Sequence, residues 1–143
     1  MSEKSIVRVR HIMKTDFDVV DGLDTVEHAL KTMVHRETKT LVVKKRHDDD
    51  EYGIVTTSDI ARKVLALDKA PDRINIYEIM TKPVLTTHRD MDIRYAARLF
   101  SSFSLTRAPV LDEKRNIVGI VSLADMVFKG MMGTSDSDQG LVD

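Results

Sequence analysis

The sequence predicts a mixed α/β (α+β) fold: two pseudo-symmetric β-α-β-β-α repeats packed sheet to sheet around one shared core. Three observations lead there. The run Gly53-Ile54-Val55-Thr56-Thr57-Ser58-Asp59-Ile60 returns 66 residues later as Gly119-Ile120-Val121-Ser122-Leu123-Ala124-Asp125-Met126. Upstream landmarks recur too: Ile12-Met13 matches Ile79-Met80, and Ala29 and Met33 match Ala96 and Phe100, all at an offset of 67. Leu41-Val42-Val43 pairs with Pro109-Val110-Leu111 at 68, a drift expected of a duplication whose insertions fall in loops. Finally, a unit of about 60 residues has little interior of its own, so two copies gain by burying their faces together.

The elements follow in order. Phe17–Val20 reads as a short first strand. Asp24 is expected to cap the next helix, with Glu27 completing a capping box. Val26, Ala29, Leu30, Met33 and Val34 then fall at i, i+3, i+4, i+7 and i+8, the apolar stripe of an amphipathic helix. Thr40–Val43 is a β-branched apolar run and reads as a buried strand. Lys44–Tyr52 is a charged connection, Gly53–Thr57 a third strand, and Ser58–Leu67 a helix with Ile60, Ala61, Val64 and Leu67 on one side. The second copy repeats the order: strand Val84–Thr87; helix Met91–Ser102 with Ile93, Ala96, Ala97 and Phe100 inward; strand Ala108–Leu111; turn Asp112–Asn116; strand Ile117–Ser122; helix Leu123–Met131. Domain boundaries are expected at 6–68 and 75–131. A polar linker containing Pro71 joins them, and a disordered acidic tail spans 132–143.

Composition narrows the function. The 143 residues carry a net charge of −1, so no global basic field favours nucleic acid. There are no cysteines, which excludes disulfides, thiolate nucleophiles and Cys-ligated zinc. No apolar run approaches the roughly 20 residues of a membrane span, and the charged start Met1–Arg10 has no secretory h-region, so a cytoplasmic protein without direct membrane insertion is expected. No phosphate loop, dinucleotide fingerprint or nucleophile elbow is present, and no general base with an organised partner stands out; the chain reads as a non-enzyme.

The repeated Thr/Ser-x-x-Asp motif carries the chemistry. Thr56 and Ser122 end strands, and Asp59 and Asp125 begin helices. A helix start offers free N–H groups to a phosphate, and the hydroxyl adds a donor. A carboxylate three residues on can accept two hydrogen bonds from a ribose diol. The preceding glycine leaves room for a ligand beside the backbone. Together these suit a nucleoside phosphate. The competing reading is that Ser58, Asp59 and Asp125 only cap their helices; the motif's presence in both copies favours the ligand.

Ile-Met, an amphipathic helix, a Pro-Val-like strand and Gly-h-h-[Ser/Thr]-x-x-Asp (h, apolar), all occurring twice over about residues 6–131, resemble the CBS-domain family in its tandem form, the Bateman module. Copy two (Ile79-Met80-Thr81, Ala108-Pro109-Val110-Leu111-Asp112, Gly119–Asp125) is close to the family pattern. Copy one departs at Leu41, where Pro is usual, and at Lys44, where Asp is usual. The resemblance implies a regulatory module that binds AMP, ADP or ATP, senses energy state and modulates an unidentified partner protein. It also implies a homodimer, whose contact would use Met126–Met132 and Val64–Leu67. No cofactor is required, and Mg²⁺ would arrive only with a polyphosphate. The alternatives are a ligand-free dimerisation or docking module, or an S-adenosylmethionine binder.

The resemblance further implies a basic residue facing the phosphates, matched to Lys39 and Arg107, and two clefts in which base and ribose are held by opposite copies. One cleft would join Lys39, Ile54, Thr56, Ser58 and Asp59 to Thr81, Val84, Leu105 and Thr106. The other would join Arg107, Ile120, Ser122 and Asp125 to Lys14, Thr15, Glu37 and Thr38. The first is ranked higher, because Leu105 is apolar where the second offers Glu37, and Ser58 supplies a hydroxyl where the second has Ala124. Other polar clusters read as surface. His47-Asp48-Asp49-Asp50-Glu51 lacks a calcium-loop pattern and is a solvated acidic loop. His11, His28, His35, His47 and His88 show no metal-ligand spacing, and no metal site is expected.

Overall fold

The computed structural model describes residues 5–132. Helices α1 (Val9–Ile12), α2 (Val26–Thr32), α3 (Thr57–Ile60), α4 (Ile93–Ser102) and α5 (Leu123–Asp125) alternate with strands β1 (Asp18–Val20), β2 (Thr40–Val43), β3 (Gly53–Thr56), β4 (Thr87–His88), β5 (Arg107–Leu111) and β6 (Ile117–Ser122). The mixed α/β class with two repeats is as expected. Each repeat contributes a three-stranded sheet of the same topology: β1 parallel to β2 and β2 antiparallel to β3, then β4 parallel to β5 and β5 antiparallel to β6. The tail beyond Met132 lies outside the described residues; Met132 itself closes a helical turn.

The chain divides into two units that are cut differently from the sequence repeats. One is continuous, Asp16–Val84; the other combines residues 5–15 with 85–132. In the continuous unit Val26 and Ala29 of α2 pack with Leu41, Val43, Val55 and Val64, with Ile74 at the end of the linker, and with Ile76 and Ile79 beyond it. In the discontinuous unit Val9 and Ile12 of α1 pack with Ala96, Phe100, Ala108, Val110, Val121 and Met126. The lead segment of each repeat therefore completes the core of the unit built mainly from the other repeat. The linker expected to be polar through Asn75 is correspondingly anchored: Ile74 is buried, and its carbonyl accepts the Val26 N–H at 2.9 Å.

This hook explains the glycines. After Ile79-Met80, Thr81 exchanges both backbone hydrogen bonds with Ile54; after Ile12-Met13, Lys14 does the same with Ile120. A Cβ at Gly53 would stand 2.9 Å from Met80 Sδ, and one at Gly119 2.7 Å from both Lys14 O and Met13 Sδ. The expectation that these glycines open the backbone to a ligand is corrected: what approaches them is the chain itself.

Several local expectations change for identifiable reasons. Thr25, not Asp24, caps α2, its hydroxyl accepting the His28 N–H at 3.1 Å. The Asp24 carboxylate turns instead to Thr25 N–H and to the His28 ring at 2.8 Å, giving that histidine the acidic partner the sequence did not reveal. Val34 is 72% exposed, because α2 ends at Thr32 and Met33 is already extended. The Val84–Thr87 strand shortens to Thr87–His88, since the ladder with β5 begins only at Thr87 opposite Val110. In both repeats the last helix widens into π turns, Ala61–Leu65 and Met126–Met132. The wider turn swings Leu67 outward while Val64 stays in the core. Asp50 is also less solvated than its acidic loop suggested. Arg46 and then Lys82, at 2.9 and 2.7 Å, hold its carboxyl far below the usual carboxylate range.

Candidate functional site

Strand register places the motif side chains. Leu41 and Val43 enter the core of the continuous unit, so Thr40 projects from the opposite face of β2, where it lies across from Thr56. Thr56 caps α3: its Oγ1 accepts the Asp59 N–H at 3.1 Å, and Asp59 Oδ2 accepts the Thr56 N–H at 3.0 Å. Asp59, 6% exposed, thus ties off its own helix, as the capping alternative foresaw. Its second oxygen is not idle either. Oδ1 accepts from Arg62 at 3.1 Å and lies 3.8 Å from Lys63 Nζ. Ser58 is exposed and accepts from Arg62 Nε at 3.3 Å. Thr40 Oγ1 is buried with no hydrogen-bond partner among the described residues, an uncommon state for a hydroxyl, and it stands one strand away from Thr56.

The discontinuous unit arranges the same motif differently. Arg107 lies across from Ser122, and Ser122 Oγ accepts the Asp125 N–H at 3.1 Å. Asp125 is buried, but its Oδ2 accepts from Lys14 Nζ at 2.6 Å, and Lys129 Nζ sits 3.7 Å from Oδ1. Arg107 is half-buried; desolvation lowers the pKa of its guanidinium, and the Asp125 charge opposes that drop. Three cations thus gather around one carboxylate and one hydroxyl.

The ladder corrects one sequence match. Thr40 faces Thr56 as Arg107 faces Ser122, so the repeats align here at an offset of 67, not 68. Arg107 corresponds to Thr40, and Lys39 to Thr106; the backbone confirms it, since Thr57 N–H donates to Lys39 O as Leu123 N–H donates to Thr106 O. Lys39 is exposed in a left-handed conformation at φ 55°. A basic residue at this strand position is therefore present in one repeat only.

The units collect the expected residues as follows. Asp16–Val84 holds Lys39, Ile54, Thr56, Ser58, Asp59, Thr81 and Val84, and also Glu37 and Thr38. Residues 5–15 with 85–132 hold Lys14, Thr15, Arg107, Ile120, Ser122 and Asp125, and also Leu105 and Thr106. The segments after Ile-Met, expected to come from the opposite copy, share a unit with the aspartate they were matched to. Sequence reasoning missed Arg62 and Lys129, although both sit at the helical i+3 or i+4 spacing from an aspartate that marks an ion pair. It also missed Thr40, whose orphan hydroxyl has no sequence signature.

The family model described as CBS domain matches residues 9–66 and 76–130. An uncharacterized protein of Methanopyrus kandleri is 32% identical over 113 residues, 77% of this chain. The chain spans only 57% of that relative's length. Among solved structures, the hexameric CBS-CP12 protein from bloom-forming cyanobacteria is 36% identical with a TM-score of 0.82, covering 87% of this chain and 72% of that one. The CBS domain pair of protein MJ0100, in complex with 5′-methylthioadenosine and S-adenosyl-L-methionine, is 30% identical with a TM-score of 0.73, covering 89% of this chain and 99% of that one.

Proposed function

The chain belongs to the CBS-domain family, and on that premise we propose that it is a regulatory module that binds an adenine nucleotide, AMP, ADP or ATP, and transmits its occupancy to a partner protein. A CBS-domain pair is a regulatory rather than a catalytic module, and a cytoplasmic setting goes with that role. The observation that carries the ligand reading is the group formed by Ser122, Asp125, Lys14, Arg107 and Lys129. A phosphate arriving there meets cations already held close, and the Asp125 carboxylate released from Lys14 becomes an acceptor for a ribose diol. Mg²⁺ would come with a polyphosphate rather than occupy a site of its own. The sequence ranks the Asp59 site first. The single-repeat Arg107 reverses that order for phosphate-bearing ligands.

A second reading is favoured by the related domain pair that holds S-adenosyl-L-methionine and 5′-methylthioadenosine. The Asp59 unit, with Thr40 in place of the strand cation and an orphan hydroxyl, suits an adenosyl group without phosphates better than the Asp125 unit does. Self-association would use Phe128, Met131 and Met132, which are exposed; Met126 and Val64, once expected at that contact, are buried.

Thermal unfolding with AMP, ADP, ATP and S-adenosylmethionine tests both readings. A ligand at about 100 Kd contributes about 2.7 kcal/mol and raises the melting temperature by several degrees. Asp125→Ala is expected to abolish the nucleotide shift and Asp59→Ala to spare it. Light scattering on the same samples reads the assembly, with a dimer expected. No stabilisation by any of the four at millimolar concentration would leave only a docking module.

A further inference from the structure

Beyond the Thr56–Asp59 capping box, the Asp16–Val84 unit contains a cavity of about 520 Å³ where the π turn meets the inter-repeat linker. Its lining brings together Lys63, Lys69 and Arg73 over a floor that includes the buried Ile74 and Ile79. The one carboxylate in the lining, Glu78, is already committed: its Oε2 accepts the Asn75 N–H at 2.9 Å as part of a capping box. Lys63 is held at the rim by donating to the Ile79 carbonyl at 3.1 Å. Lys69 and Arg73 take part in no side-chain hydrogen bond or ion pair among the described residues. The volume falls within the range of small-molecule sites, and Lys69 and Arg73, both exposed, leave the lining with an excess of positive charge that attracts an anion.

We propose that this cavity is a second ligand site, for a small phosphate-bearing anion, distinct from the Ser122–Asp125 group and adjoining the Thr56–Asp59 group only through Lys63. Lys69 and Arg73 supply the attraction and Lys63 the fixed donor. Arg73 can grip two phosphate oxygens at once, as a planar guanidinium does. The cavity opens on the linker between the repeats, so an occupant would brace that segment.

The test uses the full chain, with pyrophosphate and orthophosphate as probes and amide NMR shifts as the readout. Pyrophosphate is expected to give saturable shifts at Lys69, Ala70, Arg73 and Ile74, stronger than those from orthophosphate. The double variant Lys69→Gln/Arg73→Gln should weaken binding by about tenfold or more, equivalent to about 1.4 kcal/mol. Asp125→Ala should leave these shifts in place, and Asp59→Ala, which removes the carboxylate beside Lys63, should not weaken them; both outcomes separate this site from the adenine-ligand reading. Shifts that never saturate, that persist undiminished in the double variant, or that vanish with Asp125→Ala would each overturn the proposal. A charge-preserving Lys69→Arg variant that keeps binding would support electrostatic recognition. If it loses binding as the double variant does, the attraction assigned to the cations is refuted.

Discussion

At the scale of single residues, Gly119 leaves no room for a side chain against the neighbouring backbone. An added methyl there would sit 2.7 Å from the Lys14 carbonyl oxygen and 2.7 Å from the Met13 thioether sulfur. The thioether can swing aside, but the Lys14 backbone is fixed by two hydrogen bonds to Ile120, its carbonyl accepting one and its N–H donating the other. Gly119→Ala is therefore expected to destabilise the protein by about 1–3 kcal/mol, the usual cost of overpacking. Urea unfolding measures it, and an unchanged midpoint would refute the close approach. The repeat of Gly-x-x-Thr/Ser-x-x-Asp was legible in the sequence because identical residue types recur at one offset. What each residue touches was not. The Lys14 contact spans 111 positions, and local periodicity carries no information on such a pair. The Lys39–Arg107 match failed because a one-residue slip in a loop is invisible until the strand register is known.

At the scale of elements, α4 shows how a helix end is held. Asp92 accepts the Arg94 N–H at 2.9 Å and the Arg94 guanidinium at 2.7 Å. The Arg94 side chain first, then its backbone N–H, lower the Asp92 pKa from 3.8 to about 2. A carboxylate depressed in the folded state contributes stability that is fully present above pH 3.8 and is lost as pH falls through about 2. Asp92→Asn, which cannot ionise, is expected to be less stable than the parent at pH 5, with the gap closing between pH 3.8 and about 2. Urea midpoints of both proteins across that range check it, and a pH-independent gap would rule out the charge as its source. Helix α4 itself was well marked by Ala96 and Phe100, both fully buried. The final helices of each repeat were marked only as helices. Their widening into π turns after Asp59 and Asp125 is not encoded by a stripe of apolar residues, which marks only that a helix is present.

At the scale of the molecule, sequence repeats and folded units diverge, and fragments can distinguish them. Residues 5–68 follow the repeat, yet they omit Ile74, Ile76 and Ile79, all buried in the core of the continuous unit. Each buried isoleucine cut back to Ala typically costs about 2–5 kcal/mol, so losing three costs about as much as the roughly 5–15 kcal/mol by which domains are stable. The same fragment retains Val9 and Ile12, whose core partners Phe100, Val110 and Val121 lie in the missing half. Residues 16–84 instead keep that core whole, together with β1, β2, β3 and the Ile54–Thr81 bridge. The 16–84 fragment is therefore expected to give dispersed amide NMR signals and a cooperative urea transition, and the 5–68 fragment neither. If 5–68 folds cooperatively while 16–84 does not, the hook formed after Ile79-Met80 is dispensable. In that case Gly53 and Gly119 would need another explanation, since their nearest neighbours belong to those hooks.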